Sequence, residues 1–302
     1  MKDGHISRIQ KGLTKWCEKE SITSRFMTFY IDLLAIGARA EDLSADPTCE
    51  LNAAEINNRL SKKMPLLTFE KLDISWLLVE DIFTNFFNTF ADYPDIFGEL
   101  DDGIFKKEIY PKLPRKAVQA WFENKNLPDN VVLNDINEYL LEILIHETMR
   151  PFLISHAQVL RSSVNRETWR RPYCPICGGV PDFAFLEKEV ATRWLVCARC
   201  DTEWLFQRLE CPYCGNKDNT SLSFFSDKDG TYRLYICENC HTYLKAIDLN
   251  KTYGNIFIPL ERLITFHMDQ EGQKRGYKTG GSRLIRKLRK TDKKNTTDLR
   301  FL

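Results

Sequence analysis

The sequence predicts an α+β chain: an α-helical N-terminal domain followed by a tandem antiparallel β domain organised around cysteine pairs. Three observations carry this expectation. Apolar residues recur at helical spacing through roughly residues 1–165. That period is lost beyond Arg170-Arg171-Pro172, where short aromatic and β-branched runs take over. Eight of the ten cysteines lie between Cys174 and Cys240, all of them in Cys-X-X-Cys pairs.

In the helical half the strongest pattern runs from Asp73 to Phe90. Ile74, Leu78, Ile82, Phe86 and Phe90 repeat at i, i+4, and Val79, Phe83 and Phe87 widen the stripe, so one broad face should bury; Pro94 closes it. A second pattern spans about 134–160, with Ile136, Leu140, Ile143, Leu144 and Phe152 on its apolar face. Pro151 lies inside it and is expected to kink or split the helix. Shorter helical patterns cover roughly 5–20 and 22–41, and residues 91–113, rich in Asp, Gly and Pro, read as a loop with at most short helices.

Beyond residue 170 the expected strands are Arg193–Val196, Thr202–Phe206, Leu222–Phe225, Tyr232–Ile236 and Tyr243–Ile247, with Asp229-Gly230 as a hairpin turn. An internal repeat underlies them. Cys174-Pro175-Ile176-Cys177-Gly178 matches Cys211-Pro212-Tyr213-Cys214-Gly215. Trp194-Leu195-Val196-Cys197 matches Leu234-Tyr235-Ile236-Cys237, and Thr202 and Thr242 follow the last cysteines at one offset. The domain expectation is therefore 1–165 helical and 166–268 tandem ribbon, with units at about 170–208 and 209–250. A tail at 269–302 follows, read as disordered and basic at Arg283, Arg286, Lys287, Arg289, Lys290, Lys293 and Lys294.

Composition bounds the function. With 43 basic and 42 acidic side chains the formal net charge is +1, and 43% of residues are apolar, so neither a nucleic-acid footprint nor a disordered chain is indicated. From Arg171 to Met268 there are 11 Lys and Arg against 12 Asp and Glu, the wrong balance for a nucleic-acid surface. A zinc-ribbon nucleic-acid-binding or regulatory protein is thus the alternative reading. No apolar run reaches the ~18 residues of a membrane helix, and the N-terminus lacks the apolar core of a signal peptide. The expectation is a cytoplasmic protein without membrane insertion, whose thiols stay reduced.

In that compartment paired cysteines read as metal sites. A Cys-X-X-Cys turn aims two sulfurs at one point. Pro after the first Cys fixes φ, Gly after the second permits φ > 0, and the turn directs N–H groups at the sulfurs. Two such knuckles close a tetrahedral site. The expected sets are Cys174, Cys177, Cys197 and Cys200, then Cys211, Cys214, Cys237 and Cys240; nineteen and twenty-two residues separate the knuckles, both short enough for a ribbon. Interleaved pairing is the alternative, disfavoured because each repeat is self-sufficient. Zinc and a single iron fit four thiolates equally well, with an iron–sulfur cluster third. Four protein ligands leave no open position, and no nucleophile–base pair or phosphate loop is present, so a non-enzyme is expected.

At these motifs the chain resembles the formate dehydrogenase accessory proteins, the FdhE family. The resemblance rests on Cys174-Pro175-Ile176-Cys177-Gly178-Gly179-Val180-Pro181, on Cys197-Ala198-Arg199-Cys200-Asp201-Thr202-Glu203-Trp204, and on Cys237-Glu238-Asn239-Cys240-His241-Thr242-Tyr243-Leu244-Lys245. It covers about 165–277. It implies rubredoxin-like iron binding at two four-cysteine sites, a cytoplasmic accessory role acting on the catalytic subunit of respiratory formate dehydrogenase, and a redox part in its maturation.

Several residues carry a plain reading beside a sharper one. Cys17 and Cys49 read as small buried hydrophobes. His146, His156 and His241 read as non-ligands. Trp194 and Trp204 read as strand core, with Trp204 and Glu203 as a shield of site one or a client contact in the sharper version. Arg208 and Lys245 are candidates to face thiolate charge. The Phe stripe at 83–90 reads as core, or else as a client groove.

Overall fold

The computed structural model describes residues 11–12, 14, 24–44, 47, 51–94, 112–128, 138–252 and 256–280. The expectations for Cys17, Cys49, Ile136, most of the 5–20 helix and residues 281–302 lie outside them. The chain forms two compact units, residues 1–49 with 68–156, and residues 50–67 with 157 onward.

Among the described residues the first unit includes helices α1 (Ser24–Leu43), α3 (Trp76–Asp92), α4 (Arg115–Phe122) and most of α5 (Glu138–Leu160). The stripe read from 73–90 is core: Val79, Ile82, Phe83, Phe86, Phe87 and Phe90 of α3 are all buried, which removes the groove reading. Phe29 of α1 meets Phe90 edge-on at 5.4 Å, and Tyr93 donates to Asp32 at 2.7 Å. Pro151 neither splits nor ends α5, which runs on to Leu160. Packing explains this: Met149, Phe152 and Leu153 around it are buried, and that burial offsets the lost N–H bond. α4 has no counterpart among the predicted helices, because eight residues give too few turns for a period to show.

His156 is a core histidine. Its Nδ1 lies 2.8 Å from the Phe152 carbonyl, and its Nε2 accepts from the Asp73 N–H at 3.2 Å, so the ring is neutral with its proton on Nδ1. Burial pushes its pKa below the usual histidine value. The unfolded state then binds the proton more readily. The stabilisation is full above about pH 6.5 and is lost as pH falls through that value toward the lower folded pKa. Thermal unfolding of the first unit should therefore shift to lower temperature below about pH 6.5, and His156→Gln should flatten that dependence.

The second unit contains one sheet. Its strands are β1 (Pro181–Leu186), β2 (Arg193–Cys197), β3 (Glu203–Phe206), β4 (Leu222–Ser226), β5 (Tyr232–Cys237), β6 (Thr242–Asp248) and β7 (Lys278–Thr279). The order is β3-β2-β1-β6-β5-β4, with β7 beside β6. Within each repeat the pairing is antiparallel, as predicted, and Gly230 turns the β4–β5 hairpin at φ 70°. The repeats join through a parallel pair, Phe183↔Lys245 to Leu186↔Asp248, which makes the sheet mixed. A parallel junction relates the two copies by translation along the sheet. The strands leading from and into their cysteine pairs therefore point the same way, and both sets of cysteines lie at one end.

Three further segments complete the unit. Helix α2 (Ala53–Ser61) leads into residues 62–67, where Leu66 and Leu67 N–H groups donate to the Pro175 and Ile176 carbonyls at 2.9 and 2.8 Å. Helices α6 (Ile258–Ile264) and α7 (Phe266–Lys274) follow the sheet. Met268 of α7 packs with Leu234, Ile236 and Tyr243, and Asp269 accepts from Tyr243 and Lys245. Residues 269–280, expected in the tail, are thus structured. Their anchors are long-range contacts that a local reading of polarity does not register.

Candidate metal centre

Each cysteine pair is a knuckle at the end of a strand. The first precedes β1, the second follows β2, the third precedes β4 and the fourth follows β5. Every pair is followed by a residue in the left-handed region: Gly178 (φ 71°), Asp201 (φ 55°), Gly215 (φ 73°) and His241 (φ 50°). Glycine meets this need without strain in the first knuckle of each repeat; Asp201 and His241 meet it at a cost of about 1 kcal/mol.

The turns bring the sulfurs together. In site one Cys174 Sγ lies 3.6 Å from Cys200 Sγ, and Cys177 Sγ 3.4 Å from Cys197 Sγ. In site two the corresponding distances are 3.6 Å for Cys211–Cys240 and 3.7 Å for Cys214–Cys237. Within each set all four sulfurs lie inside 4.8 Å of one another, and none is bonded to another. The pairing is not interleaved. A tetrahedron with metal–sulfur bonds of about 2.3 Å has edges of about 3.8 Å, so both sets fit a single ion. A cluster, which spreads its thiolates over several irons, fits them poorly.

Donors converge on the sulfurs. Ile176, Gly179 and Arg199 N–H groups point at Cys174, Cys177 and Cys197, each at 3.4 Å. Asn239 Nδ2 donates to Cys214 at 3.5 Å. The repeated threonines play matching parts: Thr202 Oγ1 is 3.1 Å from Cys200 Sγ and Thr242 Oγ1 is 2.7 Å from Cys240 Sγ. Gly179 is required by close approach. A Cβ there would stand 3.0 Å from Cys197 Sγ and 2.9 Å from Arg199 Cδ. Gly179→Ala should destabilise site one by about 1–3 kcal/mol, read as faster metal loss to a chelator with site two unaffected.

Electrostatics ask for a cation. Burial, then the neighbouring sulfurs, push the Cys174 thiol well up. In site two the hydrogen bond that the Cys211 thiol donates to Cys240, then burial, raises Cys211, while the same bond draws the accepting Cys240 down to about 4. Four clustered sulfurs, all buried in site one and all but Cys214 buried in site two, do not all ionise side by side without a positive ion among them. Arg199, inside the second knuckle and buried, contributes positive charge felt by all four sulfurs of site one. Its place between two cysteine ligands is the signal that marks it in the sequence.

The other candidates sort as follows. Lys245 is buried and serves Asp269 and the Arg262 carbonyl, not the thiolates. Arg208 is exposed. Trp204 is wholly buried, with its indole N–H on the Arg171 carbonyl at 2.7 Å, so it is core and offers nothing to a client. Glu203 pairs with Arg161 and Arg166. Trp194 stacks on Phe185. His146 lies 3.0 Å from Glu147, and His241 is exposed beside a set of sulfurs already complete.

Arg262 of α6 has no sequence signal at all. It reaches Asp201 at 2.5 Å, Asp182 at 2.8 Å and the Cys197 carbonyl at 2.9 Å, which ties the second knuckle down. Asp182 reaches it from a register shift in β1 between Pro181 and Phe183. Tyr213 of the third knuckle donates to the Pro181 carbonyl at 3.1 Å, linking the two repeats beside their sulfurs.

The fold and these sites define a tandem four-cysteine ribbon protein carrying a helical unit. Residues 173–208 match the family model described as FdhE, central domain. The chain is similar to the "Protein FdhE homolog" of Aquifex aeolicus, at 27% identity over 240 residues, covering 77% of this chain and 78% of that one. It is also similar to the "Protein FdhE" of Escherichia coli, at 27% over 110 residues and 35% of that protein's length. The crystal structure of the FdhE protein from Pseudomonas aeruginosa shares the fold, with a TM-score of 0.62 at 17% identity over 93% of this chain and 95% of that one. The sequence comparisons show similarity to FdhE proteins, and the crystal structure shows that the fold is shared.

Proposed function

We propose that the chain is a cytoplasmic accessory factor for formate dehydrogenase that binds the enzyme's catalytic subunit and acts through metal-loaded ribbons. The observation that carries the reading is the pair of closed four-sulfur sets at one end of a single sheet, in a chain similar to FdhE proteins. In this reading Cys174, Cys177, Cys197 and Cys200 hold one ion and Cys211, Cys214, Cys237 and Cys240 the other. Residues 166–268 are then the metal-ribbon domain, with 50–67 and 269–280 packed onto it. Iron is the proposed ion and zinc the alternative; iron supplies a one-electron change between ferric and ferrous states, and zinc only shape. With every position taken by sulfur, the protein is not itself an enzyme, and any electron passes without substrate binding to the ion. The balanced charge of the ribbon weighs against the nucleic-acid alternative. Among the described residues no helix is long and apolar enough to cross a membrane.

The test is co-purification with the formate dehydrogenase catalytic subunit, together with enzyme activity in cells lacking the protein. The expected result is a complex with the catalytic subunit, lost activity on deletion, and no rescue by Cys211→Ser. Full enzyme activity in the deleted cells overturns the reading.

A further inference from the structure

A cavity of about 440 Å³ lies against the second site. It lies chiefly on the face of β4–β5–β6 opposite Leu234, Tyr243 and Met268. Phe224, Tyr235 and Leu244 are neighbours in register, so they share that other face and line the cavity together. Cys211 and Cys237 form part of its wall. Two apolar side chains in the wall stand in solvent, Leu209 at 61% exposure and Phe224 at 47%.

The polar part of the wall is incomplete. Arg193 is 3% exposed, and its Nη2 donates to the Gln207 and Glu210 carbonyls, which holds the connection between the repeats. Its Nε has no hydrogen-bond partner, and neither does the Tyr235 hydroxyl. Four buried side-chain atoms among the described residues lack a partner, and two of them belong to this one cavity wall. A buried donor left unpaired costs about 1–3 kcal/mol, which an incoming acceptor recovers. Both unpaired atoms are donors and one belongs to a guanidinium, which favours an acceptor that carries charge; the carboxylate of Glu210 is already paired with Lys217, and the net negative charge of the loaded sulfur set at Cys211 and Cys237 limits that acceptor to a single carboxylate. The volume suits two or three side chains rather than a small ion. Beyond Phe224 the sheet ends at β4, whose outer edge offers a flanking main chain its hydrogen bonds.

We propose that this cavity binds an extended acidic and apolar peptide segment of the client. An apolar side chain of the segment lies between Leu209 and Phe224, and its neighbouring carboxylate accepts from Arg193 Nε–H and the Tyr235 hydroxyl. The proposal rests on the accessory reading above and gives that reading a docking surface, one that sets the client against the sulfurs of site two.

The test uses the full-length, metal-loaded protein and the purified formate dehydrogenase catalytic subunit. Amide hydrogen exchange should show protection at residues 207–213 and 222–226 in the complex. Phe224→Glu should weaken binding at least tenfold and Tyr235→Phe about threefold, each with metal content unchanged. Protection confined to other segments, with both variants binding at full strength, overturns the peptide site and leaves the accessory reading standing. No complex with the unaltered protein overturns both.

Discussion

Cys174→Ser is expected to release one metal ion per chain and unfold the first ribbon, while Cys211→Ser releases the other ion. Cys174 is wholly buried, with 3.6 Å between its sulfur and that of Cys200. A hydroxyl there cannot replace a thiolate in a tetrahedral set. A structural four-sulfur ion contributes about 10–16 kcal/mol to folding, as much as the whole net stability of an ordinary domain, about 5–15 kcal/mol. The effect should reach the sheet, because the first ribbon holds β1, the strand that joins the repeats. The checks are metal content by elemental analysis and the thermal transition by circular dichroism. Loss of both ions from either single variant with the sheet still folded would instead indicate knuckles shared between sites, against the separate sulfur sets seen here.

The second large effect belongs to Arg262→Met. This guanidinium, its side chain 11% exposed, is the cation between Asp182 and Asp201 and also holds the Cys197 carbonyl. Removing one partner of a buried ion pair costs about 3–5 kcal/mol. The two carboxylates are 31% and 26% exposed and so keep some hydration, which lowers the expected loss to about 2–3 kcal/mol. The loss falls on the second knuckle, so site one should surrender its ion to a chelator at least ~10 times faster, with site two close to normal. Arg262→Lys should recover only part of this, since an ammonium cannot fork between two carboxylates and a carbonyl. An unchanged chelation rate would show that α6 has no hold on the site.

The sulfur sets were legible because their chemistry is local. Two cysteines three positions apart fix their own turn, and the repeat showed which pairs belong together. The α3 stripe was legible for a similar reason, since seventeen residues hold enough turns to show one apolar face. What escaped depends on contacts distant in sequence. Strand β1, Pro181–Leu186, begins with proline and carries Asp182, features that argue against a strand until the register shift and Arg262 are known. Its parallel pairing with β6 crosses about sixty residues, and no local pattern encodes it. The return of Leu66 and Leu67 onto the first knuckle is made by backbone groups, which any sequence possesses. Arg262 and Lys245 were opaque because a buried cation and a solvated one read alike until their carboxylates are placed.

Metal analysis of protein purified without oxygen tests the central claim most directly, through elemental content together with the visible spectrum. Two ions per chain are predicted, with the red absorption of ferric tetrathiolate for iron or a colourless zinc protein for the alternative. A chain free of metal, or one whose eight paired cysteines are joined in disulfides, would contradict the account.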